Sequence, residues 1–150
     1  MKSVSGTFKE CVVSFEKVMD DGLQKKVSEK YVVDALSFTE AEKKITEEMS
    51  SYVSGEFCID NINPCKFKEV FLSDNKCADS WYIARLAFIT CDEKTDKVKK
   101  SKVHYLVQGC SVNGAMKSID EVMGGTMIDY IIEKVEETKY VDVFLHKSSK

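Results

Sequence analysis

Residues 94–102, Lys-Thr-Asp-Lys-Val-Lys-Lys-Ser-Lys, hold five lysines and one aspartate. Lys94, Lys97, Lys99, Lys100 and Lys102 are dense enough to neutralise several phosphates of one nucleic-acid strand. Lys25 and Lys26, with Lys30 close behind, make a smaller cluster upstream. Trp81, Tyr82 and Tyr105 supply rings on which unpaired bases could stack. Arginine, the usual bidentate reader of bases and phosphates, occurs once, at Arg85, outside both clusters. Sequence-tolerant binding is therefore the expectation, not base-specific reading. The same lysines have a second reading, as a solvated turn whose charge keeps a sheet edge from pairing with other chains.

Other chemistry is sparse. Cysteines at 11, 58, 65, 77, 91 and 110 contain no C-x-x-C pair, and the histidines are His104 and His146. That spacing offers no chelating set, so no metal or organic cofactor is expected, and the thiols read as free cysteines of a reducing compartment. Gly109, Gly114, Gly124 and Gly125 form neither a phosphate loop nor a dinucleotide fingerprint. Acidic pairs such as Asp20-Asp21, Glu47-Glu48 and Glu136-Glu137 fall in turns or on polar faces, where nothing would shift a carboxyl into working range. No catalytic residue emerges, and a binding protein is expected, not an enzyme.

The elements that must position these groups come in two sets. The segment from Tyr31 to Met49 aligns without a gap on Tyr105 to Met123, 74 residues later, with eight of nineteen positions identical. The match resumes with Val70-Phe71-Leu72 on Val143-Phe144-Leu145, and Phe8, Val13 and Phe15 meet Trp81, Leu86 and Phe88. A repeat of this length signals one supersecondary unit used twice. Strands are predicted at 8–19 and 24–35 across a hairpin turn at Asp20-Asp21-Gly22. A helix follows, opened by the capping box Ser37-x-x-Glu40, striped with Phe38, Ala41, Ile45, Met49 and Tyr52, and ended by Gly55. Two more strands, 56–62 and 67–72, are predicted to join across a turn containing Pro64, the only proline. The second set has strands at 81–91, 103–108, 127–135 and 140–146 and a helix at 112–123 ended by Gly124-Gly125.

The fold class is thus α+β. It reads as an internal duplication of a β-β-α-β-β unit, with antiparallel sheets and two helices packed on them, in one domain over 1–150 made of repeats at about 7–73 and 80–146. The termini, 1–5 and 147–150, are expected to fray. Cys11, Val13 and Phe15 with Ala84, Leu86 and Phe88 mark the core face. Cys110 precedes the second helix, where a thiol can be activated, but Leu36 stands at its place in the first set, so it is read as an apolar filler. On the other face of the second unit, Trp81, Ile83 and Ile89 are too apolar for free solvation; a covering helix, an interface or a ligand groove would each explain them. A homodimer or a host-protein partner is the corresponding expectation.

No apolar run is long enough to span a membrane, no secretory signal is read at Met1-Lys2-Ser3-Val4-Ser5-Gly6, and cytoplasmic action is expected. The formal net charge of −3 opposes a general nucleic-acid coat while leaving room for a local basic patch.

Tyr31-Val-Val-Asp-Ala-Leu-Ser-Phe-Thr-Glu-Ala-Glu42, with Gly22 to Val27, Asp79-Ser80-Trp81, Leu106-Val107-Gln108 and Gly125-Thr126-Met127, resembles a family of small uncharacterised proteins of gut bacteria and their phages. The resemblance implies a phage or mobile-element setting and transfers no catalytic residue. Four consecutive strands followed by a helix, from about 56 onward, are also similar in topology to the single-stranded nucleic-acid binders of the whirly and purine-rich-element families, in permuted order.

Overall fold

A computed structural model describes residues 2–75 and 77–145. In chain order these form β1 (Lys2–Ser5), β2 (Phe8–Val18), β3 (Gln24–Asp34), α1 (Phe38–Tyr52), β4 (Phe57–Pro64) and β5 (Glu69–Leu72). Then come β6 (Ser80–Cys91), β7 (Val98–Gly109), α2 (Val112–Gly124), β8 (Asp129–Glu137) and β9 (Tyr140–Phe144). His146 and 147–150, included in the last expected strand and frayed tail, lie outside the described residues. The architecture is α+β with two helices and two sheets. Two compact units divide it: one holds β1, β5 to β8 and α2, the other β2 to β4, α1 and β9.

In the unit built on β2 and β3, the turn is the expected one. Gly22 takes φ +82°, which a side chain would resist, and the Met19 amide donates to the Leu23 carbonyl at 2.8 Å. Ser37 caps α1, its Oγ accepting from the Glu40 amide at 3.1 Å. Glu40 reaches back to the Leu36 amide at 3.1 Å, one residue further than a standard capping box. Ala41, Ile45 and Met49 are fully buried against Cys11, Val13, Tyr31 and Val33. The helix ends at Val53, before Gly55. The sheet order is β4-β2-β3-β9.

The other unit has the order β1-β5-β7-β6-β8. Ser111 caps α2 by accepting from the Gly114 amide at 3.0 Å, and Ala115, Ile119 and Met123 pack on Tyr82, Ala84, Leu86, Tyr105 and Val107. Gly109 lies against the start of α2, where a Cβ would make ordinary contact with Ala115, 3.4 Å from its nitrogen. Gly125 closes α2 at φ −81°, so its left-handed freedom is not used.

Three expectations are corrected. The sheets are mixed, not antiparallel: β5 runs parallel to β7 with Val70 opposite Leu106, and β9 runs parallel to β3 with Val143 opposite Val32. The cause lies in the receiving strands. Tyr31-Val32-Val33 and Tyr105-Leu106-Val107 are buried without alternation, which is the pattern of strands that take parallel neighbours. Each arriving strand brings a ring to the tyrosine it meets: Phe71 stacks on Tyr105 at 4.8 Å and Phe144 on Tyr31 at 5.6 Å. Second, β4 and β5 do not form a hairpin. Pro64 ends β4 at the edge of one sheet, where a missing N–H costs nothing, and β5 joins the other sheet. Third, the chain start is ordered: β1 pairs antiparallel with β5, Val4 opposite Val70.

Because Phe71 fastens β5 to β7, Phe71→Ala should cost about 3–5 kcal/mol, the usual loss for a fully buried phenylalanine. Chemical denaturation measures it; a loss below about 1 kcal/mol would contradict the packing described.

Candidate nucleic-acid interface

The register of the β6–β7 hairpin decides where its charges lie. Twelve residues of each strand pair without a break, from Ser80 opposite Gly109 to Cys91 opposite Val98. The loop is closed by the Asp92 amide donating to the Lys97 carbonyl at 2.9 Å, and Asp92 Oδ1 accepts from the Lys94 amide at 3.0 Å. Asp96 turns the chain at φ +49°, a conformation aspartate tolerates better than most residues.

Lys94, Lys97, Lys99, Lys100 and Lys102 are all exposed. Directly opposed residues share a face. Lys100 and Lys102, opposite Ile89 and Ala87, therefore stand on the face away from α2, while Lys99, opposite Thr90, stands on the helix side. Neither side sets an acid across from Lys99, Lys100 or Lys102; Asp92, Glu93 and Asp96 are confined to the tip, where Asp92 faces Lys97.

The same face continues inward to a pair that sequence reasoning missed. His104 lies directly opposite Arg85, in line with Lys102 and Lys100. The single arginine thus accompanies the lysine cluster after all. The signal was available: once the turn is placed between Cys91 and Val98, counting back along both strands brings Arg85 to His104. Arg85 is engaged from the far side by β8, where a bulge between Arg85 and Leu86 makes Glu133 the extra residue. Arg85 Nε is 3.4 Å from Glu133 Oε1 but not aligned for a hydrogen bond, and this buried nitrogen has no other acceptor. Lys134, next to Glu133 and opposite Arg85, pairs with Glu136 at 3.0 Å. The His104 pKa is lowered, first by partial burial and then by the positive charges of Lys66, Arg85 and Lys102.

The first hairpin is electrostatically different. Lys25 and Lys26 are exposed, but Lys26 is opposite Glu16, and Lys30 Nζ lies 3.7 Å from Glu10 Oε1. Lys25 faces Lys17. A bulge also occurs here, between Val12 and Val13, and its extra residue Asp60 accepts from Ser14 Oγ at 3.1 Å.

The aromatic residues do not join the lysines. Trp81, Tyr82 and Tyr105 are 5%, 3% and 6% exposed, and Trp81 lies at the opposite end of β6 from the tip. Eight residues separate it from Ile89, about 26 Å of strand. Ile83 and Ile89, expected with Trp81 at an interface, are half-buried. Cys110 is exposed, as is Leu36 at 82%, so that position is not a buried filler. The Cys110 thiol is raised in pKa, by desolvation and then by Cys77 and Asp79, which is the opposite of activation.

Elsewhere, an open cleft of about 950 Å³ lies beside the end of α1, lined by Phe15, Tyr52 and Phe57 with Glu16, Lys26 and Glu56. Its charges are of both signs and converge on no point. Among the described residues no three His, Cys, Asp or Glu side chains gather as a metal set, and no helix is long and apolar enough to cross a membrane.

The family described as "Domain of unknown function (DUF4494)" matches residues 7–147, almost the whole chain. The chain belongs to that family. No curated protein and no solved structure gives a significant match. The DUF4494 match spans all the elements described above except β1, and brings no activity with it.

The lowered His104 pKa has a consequence for stability. The folded domain binds the His104 proton less readily than the unfolded chain, so His104 weakens the fold as pH falls below about 6.5 and has no effect well above it. His104→Gln should therefore lose less stability than the parent between pH 7.5 and pH 5, measured by denaturant melts at each pH. Equal losses in the two proteins would refute the charge cluster around His104.

Proposed function

We propose that this DUF4494 domain is a non-enzymatic binding protein that holds single-stranded nucleic acid through the β6–β7 hairpin. One observation carries the reading: a run of exposed lysines along β7 and the loop before it, with no acid opposite Lys99, Lys100 or Lys102. Lys97, Lys99, Lys100 and Lys102 are the main contacts and Lys94 a tip contact. Lys25 and Lys26 contribute less, because Glu16 and Glu10 already balance that hairpin. The burial of the nearby rings favours contacts to the phosphate backbone over base stacking, hence weak, sequence-tolerant, salt-sensitive binding.

In this reading the protein belongs to a phage or other mobile element and works in the bacterial cytoplasm. The two units descend from a duplication, a view supported by their shared serine caps, bulge positions and tyrosine–phenylalanine pairs. The alternative, a module that binds a host protein or a second copy through Trp81, Ile83 and Ile89, has less support because Trp81 is buried.

Fluorescence anisotropy with a labelled oligothymidylate tests the proposal. Four phosphate contacts correspond to a slope of log K against log salt of about −3, at about −0.7 per contact for a single strand. Replacing Lys97, Lys99, Lys100 and Lys102 together by Gln should flatten the slope towards zero while circular dichroism stays unchanged. Absence of binding at low salt, or an unaltered slope in the quadruple variant, would overturn it.

A further inference from the structure

We propose that Arg85, Lys102 and His104, with Lys66 beside them, form a phosphodiester seat at the inner end of the basic face, where His104 takes up a proton when the strand binds. The inference rests on the nucleic-acid reading above and gives it a site and a pH signature. Lys100, Lys102 and His104 follow one another at two-residue intervals on one face of β7, about 6.6 Å per step, a stride suited to successive phosphates of an extended strand. Arg85 stands across from His104 on β6. Its Nε lies buried beside Glu133, but the side chain as a whole is 38% exposed, so the guanidinium can still meet a phosphate oxygen.

The groups around His104 are unbalanced. Lys66 comes from the segment entering β5, Arg85 from β6, and Lys102 from β7 itself. From β8 come Glu133, already drawn to Arg85, and Lys134, paired to Glu136. Glu69 of β5 stands on the helix side, where Ser3 donates to it and its charge acts on Tyr105. Partial burial first, and then the positive charges of Lys66, Arg85 and Lys102, make a proton on His104 unfavourable and lower its pKa. A phosphodiester entering the seat carries a negative charge and has no proton of its own to give at this pH. The proton therefore comes from water or buffer, and His104 becomes an imidazolium that donates to the phosphate. Binding and protonation then favour each other.

The test is oligothymidylate affinity at constant ionic strength from pH 7.5 to 5.5, for the parent chain and His104→Gln. The parent should tighten as pH falls, by up to about threefold if the strand raises the His104 pKa by half a unit. The variant should show no pH dependence above that of the remaining groups. In parallel, NMR titration of the imidazoles, with His104 assigned by its loss in the variant, should show its pKa rise when the oligonucleotide is added. A variant that keeps the parent's pH dependence, or an imidazole pKa unmoved by bound strand, overturns the seat and leaves the hairpin reading standing. A parent chain that binds no strand at low salt at any pH overturns both.

Discussion

The unbroken antiparallel ladder between β6 and β7 is the constraint on which the rest of its unit depends. Its register sends Ala84 and Leu86, with Tyr105 and Val107, to the face that α2 covers, and sends Arg85, His104, Lys102 and Lys100 to the other. A slip of one residue in either strand would exchange those faces, placing charge under the helix. The apolar stripe of α2 therefore does more than stabilise. By holding its side of the ladder dry, it fixes which side the cations must occupy.

The same ladder leaves the outer side of β7 free to receive β5, and β3 likewise receives β9. In both cases a short strand is held by few backbone bonds and by one aromatic pair, Phe71 on Tyr105 or Phe144 on Tyr31. β9 gains a second fastening at its start, where Tyr140 donates to Glu10 Oε2 at 2.7 Å. Burial first, and that hydrogen bond second, keep the tyrosine proton firmly in place, and the resulting network Tyr140–Glu10–Lys30 consumes charge that a ligand surface on the first hairpin would need.

Much of this was legible in the residues. The Ser37 cap, the Ala41, Ile45 and Met49 part of the stripe behind it and the Asp-Gly turn each rest on local rules that one stretch of chain satisfies alone, whereas Phe38 and Tyr52, at the ends of that stripe, are exposed. What was missed depends on partners far away in sequence. β1 is four residues with one apolar side chain, and is a strand because β5 lies beside it. The parallel pairings were hinted at by the unalternating runs at Tyr31 and Tyr105, but those runs do not say which strand will come. The aromatic platform fails for a simpler reason: Trp81, Tyr82 and Tyr105 sit among uncharged residues such as Ala84, Leu106 and Val107 that are buried on both faces of the ladder. Arg85 and His104 were dismissed singly, since neither lies near a cluster until two strands are laid side by side.

The position of β9 bears on how the chain comes off the ribosome. The unit that starts at Phe8 has its hairpin, helix and β4 early, yet the fourth strand of its sheet is supplied by Tyr140–Phe144. At translation speeds of about 5–20 residues per second, β3 waits several seconds with an open hydrogen-bonding edge beside Tyr31-Val32-Val33. The intervening segment completes the other unit's sheet in the meantime. The nascent protein is thus vulnerable to mispairing at one defined edge, and its last strand serves as the latch that ends that exposure.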